Sequence, residues 1–366
     1  MRGLTTDRAP RVLMTCDAAG GVWTYALDLA HGLRRQGVET VLAGFGAPPS
    51  EDRLNAARAV AEVHWTGLPL DWTVQDRADL VSVAPALDAL VAGTEADVVQ
   101  VNAPSQAAGL KTPARVVAVT HSCVATWFHA VKGTDLPPGW RWQHALNAEG
   151  MARADSVIAP SRSHAALTMQ CYPGCGDIMV VPNAIGHIEA SQRRRPVAYA
   201  AARWWDAGKD AATLDGAAAL TDWPVVAFGP DRSADVAPVK FAHVRHLGTR
   251  PHADVRRTAG RAAVFVSPSV YEPFGLAALE AAAGGAALVL SDIPTYRENW
   301  DGAALFAPPG DARAFAAQIN ALSRNPQLRA RMAAAARHRA HRFRPEAQAQ
   351  AMAAFLLADR QVKELT

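Results

Sequence analysis

The residues of this 366-residue chain that could do chemistry gather in loops that follow short apolar runs. The most informative segment is Ser267-Pro268-Ser269-Val270-Tyr271-Glu272-Pro273-Phe274-Gly275-Leu276-Ala277-Ala278-Leu279-Glu280, directly after the apolar run 263–266. A helix starting near Phe274 puts Glu272 just ahead of its N-terminus and Glu280 one to two turns inside. Helical side chains tilt toward the N-terminus, so both carboxylates can face one ligand and accept hydrogen bonds from a polyhydroxylated molecule. The free N–H groups of Phe274, Gly275 and Leu276 add donors at the same place, and Gly275 lets a ligand approach the backbone.

A second loop, after the run 197–202, carries Arg203 and Lys209 on either side of Trp204, Trp205 and Asp206. An Arg and a Lys between a strand and a helix can clamp a diphosphate, the first as a fork and the second as a point charge. Gly20 and Gly21 stand at the first strand-to-helix turn. They do not form G-x-G-x-x-G, but they allow a phosphate or sugar to reach the amides of Gly21 and Val22. His121 ends the run 116–119, a strand end at the mouth of a cleft. Ser122 beside it does not make a nucleophile–base pair, because sequence neighbours rarely reach that geometry and no G-x-S-x-G elbow is present. His129 and His144 read as surface residues without partners. No D-x-D occurs, and Glu95-Ala96-Asp97 reads as a helix end leading into a strand. Phosphate charge is therefore expected to fall to Arg203 and Lys209, with no metal and no cofactor.

These loops require strands behind them and helices in front. Arg11-Val12-Leu13-Met14-Thr15-Cys16 reads as a buried parallel strand. A helix follows with Tyr25, Leu29 and Leu33 at helical spacing, closed by Gly37, and then the strand 39–44 completes a βαβ unit. Further strands read at 97–101, 115–119, 156–159 and 178–181, alternating with helical stretches as in a parallel sheet covered on both faces. The pattern ends around Pro182-Asn183-Ala184-Ile185-Gly186, and the polar, basic stretch Gln192-Arg193-Arg194-Arg195-Pro196 marks the linker. It restarts with strands at 197–201, 225–229, 244–247, 263–266 and 287–290. The expected organisation is one Rossmann-like domain over 1–185, a second over 186–344, and a terminal segment over 345–366.

Composition fits this reading: 50% hydrophobic and 19% charged residues are those of a globular chain. A net charge of +3 is too weak to argue for nucleic acid. Cys16, Cys123, Cys171 and Cys175 lack zinc-site spacing and read as reduced thiols. No secretory segment and no run near the ~20 apolar residues of a membrane span is visible, so a cytoplasmic location is expected. The segment 323–344 holds seven Arg, two His and no acid. It is either a solvated helix face or a peripheral contact with an anionic membrane surface or polyanionic acceptor. The aromatic and basic stretch with Trp127, Phe128, Lys132, Trp140, Arg141 and Trp142 either packs under a loop or borders an acceptor cleft.

Taken together, these residues resemble glycosyltransferase family 4, most strongly over 198–309. The E-x7-E motif stands as Glu272 and Glu280, preceded by Val-Ser-Pro-Ser and followed by Gly284-Gly285 and Ser291-Asp292-Ile293-Pro294. The resemblance implies a GT-B fold, two Rossmann-like parallel-sheet domains facing each other across a cleft. It also implies retaining transfer of a hexose-type sugar from a nucleotide-diphosphate sugar to a glycan, glycolipid or small-molecule acceptor. By the same resemblance Glu272 binds sugar hydroxyls and Glu280 the ribose, while Arg203 and Lys209 grip the diphosphate. Gly20 and Gly21 form the glycine-rich turn, His121 lies near the transferred sugar, and Gly248-Thr249-Arg250 lies beside the base. The first domain, 1–185, takes the acceptor side and the second, 186–344, binds the nucleotide-sugar, and the last helix, roughly 345–357, crosses back to the first domain. Two departures stand out: Ala184 where the interdomain strand usually ends in Pro-Asn-Gly, and Asn102 where a histidine is often found. The alternatives are a non-catalytic nucleotide-sugar sensor or scaffold, or a GT-B epimerase or phosphorylase; the last would need a lysine signature for pyridoxal phosphate, which is not seen.

Overall fold

Two all-parallel sheets organise the chain. The computed structural model describes residues 8–18, 20–134, 136–189, 194–233 and 236–358. The first sheet comprises β1 (Arg11–Asp17), β2 (Glu39–Phe45), β3 (Glu62–Leu68), β4 (Val98–Val101), β5 (Arg115–Val119), β6 (Ser156–Ala159) and β7 (Ile178–Val180), in the order β3-β2-β1-β4-β5-β6-β7. The second comprises β8 (Arg195–Ala201), β9 (Val225–Phe228), β10 (Arg245–His246), β11 (Ala262–Ser267), β12 (Ala287–Ser291) and β13 (Leu305–Ala307), in the order β10-β9-β8-β11-β12-β13. In each sheet the order reverses beside the first strand of the domain, and at such a switch point the loops diverge to leave a crevice.

The central strands are apolar on both faces because helices cover both. In β1, Val12 and Met14 pack with Leu29 and Leu33 of the helix Gly21–Arg34, whereas Leu13 packs with Leu87 of the helix Val83–Thr94 on the other face. The helix Gly21–Arg34 stops as its sequence indicates. Gly37 adopts φ +76°, and the Val38 N–H donates to the Leu33 carbonyl at 3.1 Å. The helix Pro345–Leu356 follows the second domain but closes the core of the first, contributing Ala349, Met352 and Leu356. Gly32 makes that contact possible, since a Cβ there would stand 2.6 Å from the Ala349 Cβ.

The structure departs from the sequence reading in several places. Two edge strands, β3 and β13, are additional to the strands read there. Strand β8 begins at Arg195, whose N–H donates to the Arg261 carbonyl at 2.8 Å, so Arg195 and Pro196 belong to the sheet and not to the linker. Gln192 and Arg193 of that linker lie outside the described residues, as do Ala19 and the end of the terminal segment. His144 has partners after all: its Nε2 donates to the Cys171 carbonyl at 2.9 Å and its ring stacks on Tyr172. Three arginines of the basic run make contacts within the second domain. Arg324 pairs with Asp222 at 2.6 Å, Arg329 lies over the Trp223 ring, and Arg339 donates to the carbonyls of Asn299 and Asp301. Among the described residues no helix is long and apolar enough to cross a membrane.

Candidate active site

The loops at the carboxyl ends of both sheets enclose a cavity of about 1280 Å³, lined from both domains. Arg203, Lys209, Thr249, Arg250, Glu272, Phe274, Gly275 and Leu276 line it from the second domain, and Gly20, Gly21 and His121 from the first. The loop after β8 is tied down at several points. Trp204 buries its ring and donates from Nε1 to the Phe228 carbonyl at 2.8 Å, which turns Arg203 outward over the Trp205 ring. Asp206 accepts from the Gly208 N–H and, across the domain boundary, from Trp127 Nε1, both at 2.8 Å. The Gly208 carbonyl in turn accepts from the Val270 N–H at 2.9 Å. These bonds bring Lys209 Nζ to 2.6 Å from Glu272 Oε1, in an ion pair with both side chains largely buried.

Glu272 is placed by its own loop. Ser269 Oγ donates to Glu272 Oε1 at 3.3 Å, and the Tyr271 hydroxyl bonds to Ser122 Oγ at 3.0 Å and Thr126 Oγ1 at 2.8 Å in the first domain. Ser161 Oγ donates to the Pro273 carbonyl at 2.7 Å. The helix begins at Leu276, two residues later than the sequence suggests, because Gly275 sits in the left-handed region at φ +89°. The free N–H groups of its first turn are thus those of Leu276, Ala277 and Ala278, not of Phe274 and Gly275. Gly275 also allows close packing, as a Cβ there would stand 2.7 Å from the Tyr296 ring. Counted from Leu276, Glu280 is the fifth helical residue, nearer the N-terminus than a start at Phe274 would put it; it is not among the residues that line the cavity, and its charge acts on Tyr199.

Gly20 and Gly21 face this apparatus from the first domain. A Cβ on Gly20 would stand 3.6 Å from Arg203 Nη1, and one on Gly21 would stand 3.1 Å from Leu276 Cδ1. Glycine here keeps the first turn close to the guanidinium and to the helix N-terminus. Of the loop after β10, Thr249 and Arg250 line the cavity while Gly248 does not. Gly248 takes φ +67°, and its carbonyl accepts from the Gly229 N–H at 3.0 Å, so it shapes the turn.

His121 is held by a network that ends on Asn102. Asn102 Nδ2 donates to the Thr15 carbonyl at 2.6 Å, so Oδ1 is the acceptor, and it takes a bond from Gln100 Nε2 at 3.3 Å. His121 Nε2, 3.1 Å from the same Oδ1, must then donate to it. The neutral ring therefore carries its lone pair on Nδ1. Burial, reinforced by His164, pushes the His121 pKa down to about 3, so the ring is neutral at ordinary pH. Asn102 thus sets the tautomer of His121, a role invisible in its residue type alone.

Asp71 and Trp72 also line the cavity, on a single 3-10 turn, Asp71–Thr73, that follows β3. Neither stands out in the sequence, because the strand that presents them, β3, is half-buried and has no continuous apolar run. Among the described residues no group of three or more His, Cys, Asp or Glu side chains is arranged to hold a metal ion.

Comparison with known proteins matches both domains separately. Residues 19–187 match Glycosyltransferase Family 4, and residues 240–339 match Glycosyl transferases group 1. O-antigen chain mannosyltransferase B of Escherichia coli is 40% identical over 76 residues, a segment spanning 21% of this chain and only 20% of that protein. Among solved structures, sucrose-phosphate synthase from Thermosynechococcus elongatus superposes with a TM-score of 0.76 at 19% identity, over 98% of this chain and 100% of that one. Anabaena HepE in complex with UDP and glucose gives a TM-score of 0.74 at 17% identity, over 95% and 100%.

Proposed function

We propose that this GT-B glycosyltransferase, so placed by its fold and its two family matches, moves a hexose-type sugar from a nucleoside-diphosphate sugar to a glycan, glycolipid or small-molecule acceptor, with retention of anomeric configuration. Synthesis of a surface polysaccharide or other glycoconjugate is the setting this suggests. The observation that carries the reading is the convergence of Arg203, Lys209 and Glu272 with Gly20 and Gly21 on one interdomain cavity.

The cavity is lined by both cations and a carboxylate, and the reaction has work for each. As the bond from the anomeric carbon to the phosphate oxygen breaks, its electron pair passes to the diphosphate while the sugar becomes cationic. Arg203, Lys209 and the N–H groups at the start of the helix Leu276–Ala283 oppose the growing negative charge, each by about 2–4 kcal/mol if they match known oxyanion donors. Glu272 accepts hydroxyls of the sugar. Lys209 is paired with Glu272, so donor binding exchanges that ion pair for phosphate on one partner and hydroxyl on the other. The acceptor oxygen attacks from the face that the leaving group vacates, and its proton passes to the departing phosphate oxygen. His121 offers a neutral imidazole whose Nδ1 lone pair can accept from a sugar hydroxyl; it is assigned no proton transfer.

Thermal-shift screening against UDP-, GDP-, ADP- and TDP-sugars tests the donor class, since a bound donor raises apparent stability by mass action. One nucleotide series is expected to stabilise the protein and to undergo slow donor hydrolysis. Stabilisation by none of them would overturn the reading.

A further inference from the structure

We propose that the first-domain half of the cavity, built around Asp71, Trp72 and Trp140, is a subsite for a neutral saccharide, so that the acceptor presents an uncharged sugar unit to the donor. This rests on the donor reading above, which fills the other half.

Space is the first argument. Ligand pockets usually enclose about 300–1,000 Å³, and this cavity of about 1280 Å³ exceeds that range. With the donor against Arg203, Lys209 and Glu272, the wall formed by the first domain stays open for a second substrate.

The chemistry of that wall narrows the class. Trp72 is 51% and Trp140 40% exposed, although both line the cavity. Tryptophan faces left open at a cavity wall are suited to the C–H face of a pyranose ring, which is apolar while its rim is polar. Trp140 continues into an aromatic ladder, with its ring centroid 5.8 Å from that of Phe128, which lies 5.2 Å from that of Trp127. Asp71 supplies the polar counterpart. Its carboxylate has no cationic partner within ion-pair distance among the described residues and is held by neutral donors, with Asn147 Nδ2 at 3.1 Å from Oδ2. Gln143 Nε2 fixes the turn by donating to the Asp71 carbonyl at 2.6 Å. A carboxylate fixed in this way accepts from hydroxyls.

Charge disfavours the anionic alternatives. Asp71 lines the cavity from the first domain, and of the described lining residues of that domain Lys132 is the one Lys or Arg, its Nζ 5.7 Å from the centroid of the Trp127 ring. The cations Arg203, Lys209 and Arg250 all come from the second domain. A phosphate-bearing or acidic sugar in the first-domain half would therefore meet the Asp71 carboxylate and one cation held by an aromatic ring, whereas a neutral sugar meets hydroxyl acceptors and aromatic faces. Burial raises the Asp71 pKa above the ordinary carboxylate range, against hydrogen bonds from Asn147 and Ser105.

The test uses the full chain saturated with the nucleoside diphosphate that it binds most tightly among UDP, GDP, ADP and TDP. It is applied to an array of neutral and acidic oligosaccharides and to phosphatidylglycerol vesicles, and hits are titrated by calorimetry. Neutral oligosaccharides are expected to bind, and Trp72→Ala and Asp71→Asn are each expected to weaken them at least tenfold. Nucleoside diphosphate affinity should stay within twofold of wild type, which shows that both variants fold. Binding confined to acidic glycans or vesicles, no binding at all, or neutral binding indifferent to both substitutions would overturn the subsite. Nucleotide affinity is read on the same samples, so its failure removes the donor reading, while failure of glycan binding alone removes only the subsite.

Discussion

Replacing Glu272 with alanine should separate the two tasks that meet in the Lys209–Glu272 pair. At 2.6 Å the pair has about 6 kcal/mol of gross attraction for an effective dielectric of about 20. Most of that offsets the dehydration of side chains left only 13% and 17% exposed, so its net worth is far smaller. Glu272→Ala removes the acceptor for the sugar hydroxyls, a hydrogen bond to a charged group worth about 1.5–3 kcal/mol. Turnover measured as kcat/KM for the donor is expected to fall roughly ten- to hundredfold. The same change frees Lys209 from its carboxylate, so affinity for the nucleoside diphosphate alone should be unchanged or higher. Lys209→Ala should do the reverse and weaken the nucleoside diphosphate directly. Calorimetry with the nucleoside diphosphate and initial rates of donor hydrolysis, run on both variants, provide the comparison. Wild-type turnover in Glu272→Ala would refute the sugar contact. An equal loss of nucleoside diphosphate affinity in both variants would refute the division of roles.

Three further outcomes follow from the same geometry. Arg203→Lys keeps the charge but loses the fork and the stacking on Trp205, and nucleoside diphosphate affinity is expected to fall roughly tenfold or more; an unchanged Kd would remove Arg203 from the clamp. Gly275→Ala strains a backbone at φ +89° and presses on Tyr296, which is pinned by Ser267 at 2.7 Å, whereas Gly37→Ala at φ +76° meets no atom within 4 Å. The first should therefore lose about 1–3 kcal/mol more stability than the second, as overpacking does, and equal urea midpoints would contradict this. The third concerns pH. His121 and His164 are lowered by burial to about 3 and about 4, while unfolded histidine titrates near 6.5. Above that value both states are neutral and no penalty arises; as pH falls from about 6.5 toward 4 the unfolded state takes up protons that the folded state refuses, and stability declines. His164→Gln should lose less stability than wild type between pH 7 and 4.5 in urea titrations, and parallel curves would sink the assignment.

How much of this was legible beforehand depended on whether the strand behind each loop could be seen. Strands β1, β5, β8 and β11 are nearly continuous apolar runs buried on both faces, and the loops they deliver carry Gly20, His121, Arg203 and Glu272. Strand β3 reads Glu62-Val63-His64-Trp65-Thr66-Gly67-Leu68, half-buried at a sheet edge, and has no such run. Its place is fixed by a long-range fit: Trp65 covers Gly44 of β2 so closely that a Cβ there would stand 2.1 Å from the ring. Local pattern carries no trace of that contact, and without β3 the turn with Asp71 and Trp72 has no reason to face the cavity. The second limit is rotational. Counting along a helix gives how far Glu280 lies from the N-terminus but not which way its side chain turns, and in the structure Glu280 is not among the residues that line the cavity while its charge acts on Tyr199. The third is chemical. Asn102 stood out in sequence as a departure from a familiar histidine, yet its work depends on a neighbour nineteen residues on, His121, whose proton it holds on Nε2. Residue types announced the half of the cavity proposed for the donor because charged groups next to buried strands are conspicuous; the other half joins Asp71 to aromatic and amide side chains that only the fold brings onto one wall.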